Sequence, residues 1–348
     1  MQVFLLPSMT IANTIDHVPV LSLREIETLS KRALMGSGAT DVNAGPVADS
    51  MRSAEAEGIR NVGLGYLPIY CEHLRCAKID GAAVPNVRRS ARASIVVDAA
   101  FGFAHPAFLA ALDEFVEAAN DCGVAALSIA RSYSAGVVGW FVDHLARRGL
   151  VGLGFANSSA LMPPWGGNLP VFGTNPLAFG VPRTHDEPII LDMATSATAR
   201  VNVLNAASLG GPIPEGWALD GSGQPTTDPQ AAIDGMMAPL GGAKGYGLAL
   251  MVDVLAGALT GSNFSHESSS FGDNIGGPPG VGQLFVAFSP TTMGAASVGE
   301  RVETLAGVVH AQDGARLPGS TRHEHRVTAE RNGVDVPAEL LDRLESYC

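Results

Sequence analysis

The segment Ile189-Ile190-Leu191-Asp192-Met193-Ala194-Thr195-Ser196 joins a short apolar run to a polar turn of small residues. Three further polar turns lie near it, and they read Phe172-Gly173-Thr174-Asn175-Pro176, Pro225-Thr226-Thr227-Asp228-Pro229 and Gly241-Gly242-Ala243-Lys244-Gly245. Small hydroxyl and amide side chains beside glycines let the backbone approach a phosphate or a carboxylate closely. The four turns therefore predict a binding site for an anionic small molecule between residues 172 and 260.

The composition restricts the class of protein. The chain has 348 residues, of which 46% are hydrophobic and 16% are charged, and its formal net charge is −12. This length favours two lobes of structure, and the apolar content is typical of a chain that buries part of its surface against a second copy. The negative charge argues against nucleic-acid binding, because it cannot neutralise a phosphate backbone.

Neither a membrane nor a metal is expected as a partner. No window of 18 uninterrupted apolar residues occurs, so we expect no membrane span. Residues 1–20 lack a basic segment and are interpreted as a frayed arm or an edge strand rather than a signal peptide. The four cysteines form no CxxC pair, which favours free thiols in a reducing cytoplasm and no metal held by the protein.

Hydrophobic periodicity predicts helices and strands in a mixed order. The predicted helices cover residues 22–37, 41–57, 67–80, 105–122, 137–149, 244–259 and 337–347. The predicted strands cover residues 93–98, 124–130, 150–156, 188–191 and 283–288. Residues 262–282 show no periodicity and predict a long loop, of the kind that often forms a lid or a partner arm. The absence of a regular βαβ order indicates an α+β or an irregular α/β class.

The motifs resemble those of the malate/L-lactate dehydrogenases of the non-Rossmann type, over residues 21–344. The resemblance is most specific at five places, which are residues 98–107, 173–176, 192–196, 213–217 and 226–229. This family includes sulfolactate and ureidoglycolate dehydrogenases, and its piperideine-2-carboxylate/pyrroline-2-carboxylate reductases look most similar. It implies an α+β fold, with a non-Rossmann NAD(P)-binding domain on a mixed, mostly antiparallel sheet flanked by helices. A helical domain formed by the two termini completes that fold.

The resemblance also implies an activity and an assembly. It implies an NAD(P)H-dependent reductase of a 2-oxo or 2-imino acid, and a homodimer with its site near the interface. We predict a helical domain of residues 1–60 and 325–348, a substrate-side domain of residues 61–125 and 285–324, and a cofactor-binding domain of residues 126–284. NADPH is the expected cofactor and NADH stays possible, because Arg322 matches a basic family position near the adenosine phosphate and a guanidinium suits a 2′-phosphate.

Several polar positions of the family are replaced within the matching frame. The family's proton-donating histidine falls on Val62 of the turn Asn61-Val62-Gly63, and its carboxylate-binding arginine falls on Tyr66. A second family turn with two histidines falls on Ser132-Tyr133-Ser134-Ala135-Gly136, and a polar position beyond residue 196 falls on Asn202. Valine has no proton to donate and tyrosine is no fixed cation. We therefore expect altered proton chemistry.

Asp192, Tyr66 and Tyr133 are the predicted catalytic residues. Asp192 is either a partly protonated carboxyl group that faces the substrate, or a cap of the next turn through the Ala194 or Thr195 amide. The phenols serve as proton donors only if their pKa lies towards neutrality. The predicted substrate contacts are Asn61, Val62, Ser134 and Thr174. The predicted cofactor-binding residues are Ser132, Asn175, Asp192, Met193, Ala194, Ser196, Lys244, Gly245 and Arg322.

Each motif also has a purely structural interpretation. The glycines of residues 241–245 suit a tight packing turn, residues 173–176 an ordinary turn, and residues 318–322 a solvated charged turn. His105 is expected to be a helix cap or a core contact.

The leading hypothesis is reduction of a C=N or C=O bond next to a carboxylate. A cyclic imine is favoured, because a protonated iminium is already electrophilic and needs a weaker acid than a ketone does. Two alternatives stay open: a repurposed family member that acts as a tailoring enzyme of secondary metabolism on a larger substrate, and a non-catalytic homologue.

Overall fold

The computed structural model describes residues 18–295 and 297–348. Its strands are β1 (Val20–Leu21), β2 (Asn86–Ala91), β3 (Ser94–Asp98), β4 (Val124–Ser132), β5 (Val151–Ala156), β6 (Leu177–Val181), β7 (Ile189–Met193), β8 (Ala218–Leu219), β9 (Pro225–Thr226), β10 (Met236–Met237), β11 (Val281–Phe288) and β12 (Val334–Asp335). Its helices are α1 (Leu23–Gly36), α2 (Asp41–Ala56), α3 (Leu67–Arg75), α4 (Ala104–Cys122), α5 (Val138–Ala146), α6 (Arg200–Leu209), α7 (Pro229–Asp234), α8 (Ala243–Asp253), α9 (Val298–His310), α10 (Ser320–Asn332) and α11 (Ala338–Glu345).

A seven-stranded sheet carries most of the core, in the order β2-β3-β4-β11-β5-β6-β7. Strands β3 and β4 are parallel and are connected by α4, while the other neighbouring pairs are antiparallel. Strand β11 lies between β4 and β5, although these two are consecutive in the chain. The sheet is mixed and mostly antiparallel, which confirms the predicted fold class.

Helices cover both faces of this sheet. On one face α4 and α5 enclose a core whose largest buried side chains include Phe108, Phe115, Phe141 and Phe285. On the other face Val252 of α8 and Ala256 of the following π-helical turn pack against β5 and β11. Strand β7 is an edge strand of the described sheet. Loops and helices from other parts of the chain can therefore pack beside its end at Met193.

The helices near the two ends of the chain pack together. A second core joins α1, α2 and α3 to α11, with Ile26, Leu34 and Leu344 fully buried. A third core lies around the small sheet β10-β8-β9. The central sheet takes strands from both sides of residue 125, and the division into three domains stays a prediction.

The predicted elements agree with the structure where local signals are strong. The Ser22 hydroxyl accepts from the Glu25 N–H and the Glu25 carboxylate accepts from the Ser22 N–H, so a capping box begins α1 where the predicted helix starts. The predicted helix over residues 67–80 is wrong at its end, because α3 stops at Arg75. The predicted charged turn at residues 318–322 is partly wrong, since α10 begins at Ser320. Residues 1–17, the predicted arm, lie outside the described residues.

The loop predicted for residues 262–282 is fastened to the terminal helices by Lys78. This side chain is fully buried, and its ammonium group donates to the carbonyls of Ser270 (2.6 Å), Asp273 (2.9 Å) and Ile275 (2.9 Å). His73 Nε2 lies 2.9 Å from the Asp273 carbonyl oxygen. The early end of α3 follows from this arrangement, because the chain must turn after Arg75 to direct Lys78 at the loop. No helix within the described ranges combines the length and apolar character that crossing a bilayer requires.

His105 is a buried imidazole between α4 and α5. It is 1% exposed, it packs on Trp140 and Phe141, and neither ring nitrogen makes a hydrogen bond of normal geometry with a described residue. Burial lowers the pKa of His105 to about 3. The expectation that His105 is a core contact is therefore confirmed.

This burial predicts a loss of stability in acid. The unfolded chain takes up a proton at His105 below about pH 6.5, whereas the folded chain resists it down to about pH 3. Stability therefore falls as the pH drops through this window, by about 2 kcal/mol at pH 5 for this residue alone. We expect His105→Phe to remove about that much of the change in unfolding free energy between pH 7 and pH 5 in urea titrations. The exposed control His323→Gln should leave the change as it is, and an unaltered pH dependence in His105→Phe would contradict this account.

Candidate active site

Thr195 holds three of the polar turns together. Its N–H and its hydroxyl donate to the Thr174 carbonyl at 2.8 and 2.9 Å, and its own carbonyl accepts from the Leu240 N–H at 2.9 Å. Residues 173–176, 192–196 and 240–245 are therefore neighbours, although more than 60 positions separate the first from the last. The fully buried Thr195 itself was not among the predicted site residues, because its role is to join backbone segments.

Asn175 and Ser132 are satisfied inside the protein. The Asn175 amide donates to the Ala249 carbonyl at 3.0 Å and accepts from the Ser158 N–H at 3.2 Å, with a positive φ of 31° that favours Asn or Gly. The Ser132 hydroxyl donates to Gln283 Oε1 at 2.7 Å. Both side chains are buried and fix the turns in place, so a direct contact of either with a cofactor stays a prediction.

The N-terminus of α8 is exposed and has no side-chain cap. Its N-cap is Gly242, and Lys244 in its first turn is exposed and has no ionic partner among the described residues. A helix N-terminus with a free ammonium group beside it suits a phosphate, because N–H groups and positive charge face the same anion. These residues therefore fit one phosphate of a dinucleotide.

Gly245 and Gly242 are required for packing. A Cβ on Gly245 would lie 2.3 Å from the Leu240 carbonyl oxygen, and one on Gly242 would lie 2.8 Å from the Trp165 ring. The structural interpretation of this turn thus holds for both glycines. Trp165 is 64% exposed beside the uncapped helix end. The sequence offered no signal for it, because nothing in the pattern places residue 165 near residue 242.

Asp192 lies at the end of β7 and caps α5. Its Oδ2 accepts from the Gly139 N–H at 2.9 Å, in the first turn of that helix. The capping interpretation was correct in kind but wrong in place, since the amide belongs to α5 and not to Ala194 or Thr195. Burial raises the pKa of the Asp192 carboxyl group, against the opposing effects of the Gly139 N–H and the Arg322 charge. The direction agrees with the hypothesis of a partly protonated acid.

Glu55 positions the turn in which the resemblance places histidine and arginine. Its carboxylate accepts from the Leu64 N–H at 2.7 Å, and a Cβ on Gly63 would lie 2.4 Å from the same carboxylate. Val62 is half-buried in a 3-10 turn before α3. Burial raises the pKa of Glu55. Sequence reasoning missed Glu55, because a glutamate inside a helix carries no sign that it bonds to a later turn.

Tyr66, Tyr70 and Tyr133 form an aromatic group, the tyrosine cluster. Tyr70 lies edge-on to Tyr66 at 5.1 Å and tilted to Tyr133 at 5.5 Å, and Phe271 of the long loop contacts Tyr133 at 5.1 Å between ring centroids. The Tyr133 hydroxyl also lies 2.5 Å from His73 Nδ1. The structure thus brings together Tyr66 and Tyr133, the tyrosines at positions where the resemblance implies an arginine and a histidine, and the long loop contacts Tyr133 through Phe271.

The pKa values of these phenols run opposite to the requirement for proton donors. Burial raises the pKa of Tyr66 to about 12, and burial together with the neighbouring tyrosines raises that of Tyr133 well above its usual value. A pKa near neutrality, which a phenol needs to act as a proton donor, is therefore not found for either tyrosine, because the apolar surroundings disfavour the phenolate. Both tyrosines therefore keep their protons. The Tyr133 proton is donated to His73 Nδ1, because His73 Nε2 faces the Asp273 carbonyl, so Tyr66 is the phenol left to offer a hydrogen bond to a ligand.

Arg322 lies against Asp192. Its Nη2 donates to the Asp192 carbonyl oxygen at 3.2 Å, while its Nη1 is buried without a partner among the described residues. Residues 314 and 316–322 line an open groove of about 560 Å³, called the Arg322 groove here. In an extended dinucleotide the 2′-phosphate of the adenosine lies far from the nicotinamide. If Asp192 lies beside the nicotinamide, Arg322 is too close to it to reach that phosphate. Contact of Arg322 with a 2′-phosphate stays a prediction, and this distance argues against it.

The remaining predicted residues are less constrained. Ser134 accepts from the Gly136 N–H at 3.2 Å, close in the chain to Tyr133. Ser196 donates to the Thr198 carbonyl at 2.8 Å. Met193 and Ala194 are half-buried beside Asp192, whereas Asn61 is exposed and makes no hydrogen bond through its side chain with a described residue. Their contacts with ligands stay predictions.

Comparison with known proteins agrees with this arrangement. The model of the malate/L-lactate dehydrogenase family matches residues 21–345. The chain is 42% identical to (2R)-3-sulfolactate dehydrogenase (NADP(+)) of Chromohalobacter salexigens over 329 residues, which cover 94% of this chain and 98% of that protein. It is 39% identical to Delta(1)-pyrroline-2-carboxylate reductase 2 of Burkholderia multivorans over 336 residues, covering 96% and 98% of the two chains.

Solved structures of dehydrogenases and reductases are also similar to this chain over nearly its whole length. The crystal structure of delta1-piperideine-2-carboxylate reductase from Pseudomonas syringae is similar with a TM-score of 0.90 and 36% identity, over 95% of this chain and all of that one. A dehydrogenase from Sinorhizobium meliloti is similar with a TM-score of 0.86 and 30% identity, over 94% and 98% of the two chains. The chain therefore belongs to the malate/L-lactate dehydrogenase family.

Proposed function

We propose that this chain is an NADPH-dependent reductase of a C=N bond next to a carboxylate, in a cyclic 2-imino acid, with 2-oxo acids as poorer substrates. The observation that carries the proposal is the buried Asp192 carboxyl group, with its raised pKa, beside an Arg322 guanidinium. The named relatives support it, since they include pyrroline-2-carboxylate and piperideine-2-carboxylate reductases.

The cofactor is held by the turns that Thr195 joins. Lys244 and the N-terminus of α8 bind a phosphate, while Met193, Ala194 and Ser196 line the strand end beside it. The relative whose name specifies NADP(+) favours NADPH, and NADH stays possible. When bound, the nicotinamide supplies the hydride. We assign cofactor binding to residues 126–284 and the substrate side to residues 61–125 and 285–324.

The protein's own residues supply the proton and the orientation. A protonated Asp192 gives its proton to the imine nitrogen, and the Tyr66 hydroxyl hydrogen-bonds to the substrate without losing its proton. The Tyr133 hydroxyl, whose proton is donated to His73 Nδ1, packs beside it. The apolar tyrosine cluster, with Phe271 over it, excludes water from the reacting carbon. An iminium needs little assistance from an acid, so this set suffices for C=N reduction better than for a ketone.

Two features bear on assembly and location. The side chains of Leu250, Met251, Val254 and Leu259, on α8 and the segment that follows it, are 43%, 37%, 48% and 64% exposed, which is a large apolar strip for a free surface. We assign it to a homodimer interface. The free cysteines suit a reducing cytoplasm.

The proposed homodimer can be tested by sedimentation equilibrium, which should give twice the mass of the chain. Val254→Glu places a charge in the apolar strip and should reduce the mass to that of one chain. A wild-type monomer would contradict the proposal.

The activity test combines a substrate panel with a variant. We expect NADPH oxidation with Δ1-pyrroline-2-carboxylate or Δ1-piperideine-2-carboxylate, and slower oxidation with linear 2-oxo acids. Because the donor must be protonated, kcat/KM should fall as the pH rises through the Asp192 pKa. Asp192→Asn should lower kcat by about 100-fold or more and remove that limb.

Asp143→Asn, on the outer side of α5, is the matched control and should retain the wild-type profile. An unchanged limb in Asp192→Asn would assign the titration to the substrate and remove the proposed role. NADPH binding without oxidation of any acid in the panel would favour a repurposed enzyme of secondary metabolism. The lack of nucleotide binding would favour a non-catalytic homologue.

The cofactor site has a separate prediction. The chain has three lysines, of which Lys31 pairs with Asp41 on the surface and Lys78 is buried, so Lys244 is the free ammonium at the site. We expect Lys244→Met to raise the Kd of NADPH by about tenfold, the typical worth of one charge-assisted contact. Fluorescence titration measures it, with Lys31→Met as control. Equal Kd values for Lys244→Met and the wild type would place the phosphate elsewhere.

A further inference from the structure

Arg322 differs from the other half-buried arginines in one guanidinium nitrogen that has no acceptor. Arg52, Arg183 and Arg326 each have a carboxylate within ion-pair distance. Arg322 has none, and its Nη1 is the one guanidinium nitrogen in the described ranges that is buried without a hydrogen-bonding partner. A buried charged donor with no acceptor costs several kcal/mol. Such a donor indicates a place where an acceptor arrives with a ligand.

The surroundings of Arg322 favour an anionic acceptor. The charges of Arg322 and Glu57 both act on Asp192, and Glu57 already pairs with Arg326, which is on the same helix as Arg322. Asp192 offers Arg322 its carbonyl oxygen, and its carboxyl group is held by the Gly139 N–H. Arg322 also lines the open Arg322 groove, which connects this residue with solvent.

We propose that Arg322 binds the substrate carboxylate, in place of the arginine that the family resemblance puts at position 66. This assignment rests on the proposed function. In a 2-imino acid the carboxylate is bonded directly to the C=N carbon, so the carboxylate anchor and the proton source must be neighbours. Arg322 and Asp192 are neighbours of this kind, since the guanidinium contacts the Asp192 carbonyl oxygen at 3.2 Å and its charge acts on the Asp192 carboxyl group. A guanidinium also matches a carboxylate with two parallel hydrogen bonds.

A cofactor phosphate shares the chemistry of a carboxylate and is the competing source of the anion. The position of Arg322 favours the carboxylate, since Asp192 acts on the reacting end of the substrate, and a 2′-phosphate belongs to the opposite end of the cofactor. The exposed Arg316, also in the groove and 3.4 Å from the Thr321 hydroxyl, faces solvent and makes no hydrogen bond or ion pair with Asp192 in the described part of the chain.

The test uses a planar analogue that cannot be reduced. Binding of pyrrole-2-carboxylate and of pyrrole-2-carboxamide to the full-length, NADPH-loaded protein is measured by calorimetry, for wild type, Arg322→Gln and Arg322→Lys. We expect Arg322→Gln to weaken carboxylate binding by about tenfold or more and to leave carboxamide binding unchanged. Arg322→Lys should recover part of the loss, because it keeps the charge without the fork. Arg331→Gln, exposed on the same helix, is the control and should match wild type.

Three outcomes overturn the proposal. The first is that the wild-type protein does not bind the carboxylate, and the second is that Arg322→Gln binds it as tightly as the wild type. The third is that Arg322→Gln loses affinity for NADPH but not for NADH, which would assign Arg322 to the 2′-phosphate. The proposed function is separable from the anchor. Carboxylate binding that depends on Arg322, without oxidation of NADPH by any imino acid, would keep the anchor and remove the reductase. Imine reduction with an unchanged KM in Arg322→Gln would keep the proposed reductase activity and remove Arg322 as the carboxylate anchor.

Discussion

The hydrogen bond between the Asp192 carboxylate and the first turn of α5 is the constraint on which the site depends. It ties the edge strand β7 to the helix that follows the Tyr133 turn. Burial at this place raises the pKa of the carboxyl group, although the Gly139 N–H itself lowers it. Gly139 is needed for this contact, since a Cβ there would lie 3.2 Å from that of Asp192. The position of Arg322 follows as well, because its guanidinium bonds to the carbonyl of the same residue.

We expect the roles of the residues around this constraint to differ from those that the family resemblance implies. An aliphatic side chain and a phenol stand at Val62 and Tyr66, and Glu55 keeps the shape of their turn. High phenol pKa values make the tyrosine cluster a wall that donates hydrogen bonds and excludes water. Acid chemistry is left to the carboxyl group at Asp192. Such a site suits a substrate that brings its own electrophilic activation, as an iminium does.

Local signals allowed much of the fold to be predicted, and distant contacts limited the rest. The capping box at Ser22 and Glu25 is encoded within one turn, so the start of α1 was predictable. The insertion of β11 between β4 and β5 depends on pairing across more than 100 residues, for which an apolar run of eight carries no partner information. The charged residues after Gly319 have a weak apolar pattern, which hid α10 and with it the contact of Arg322 with Asp192.

The site residues show the same limit. The turns at Thr174, Asp192 and Lys244 were recognisable by their composition, and hydrogen bonds through Thr195 bring them together. Glu55 and Trp165 were not recognisable, because each acts on a segment distant in sequence. The direction of a pKa shift was also beyond the sequence: Tyr66 and Asp192 are both raised by burial, and this excludes one as an acid while it favours the other.

Transfer of label is the most direct test of the central claim, that this pocket moves hydride from a nicotinamide to a carbon next to a carboxylate. NADPH carrying deuterium at both C4 positions of its nicotinamide is incubated with the protein and a cyclic 2-imino acid, and the product is observed by NMR. The account predicts deuterium at C2 of the cyclic amino acid, in proportion to the NADPH consumed. Oxidation without label at C2, or no cyclic amino acid at all, would contradict it.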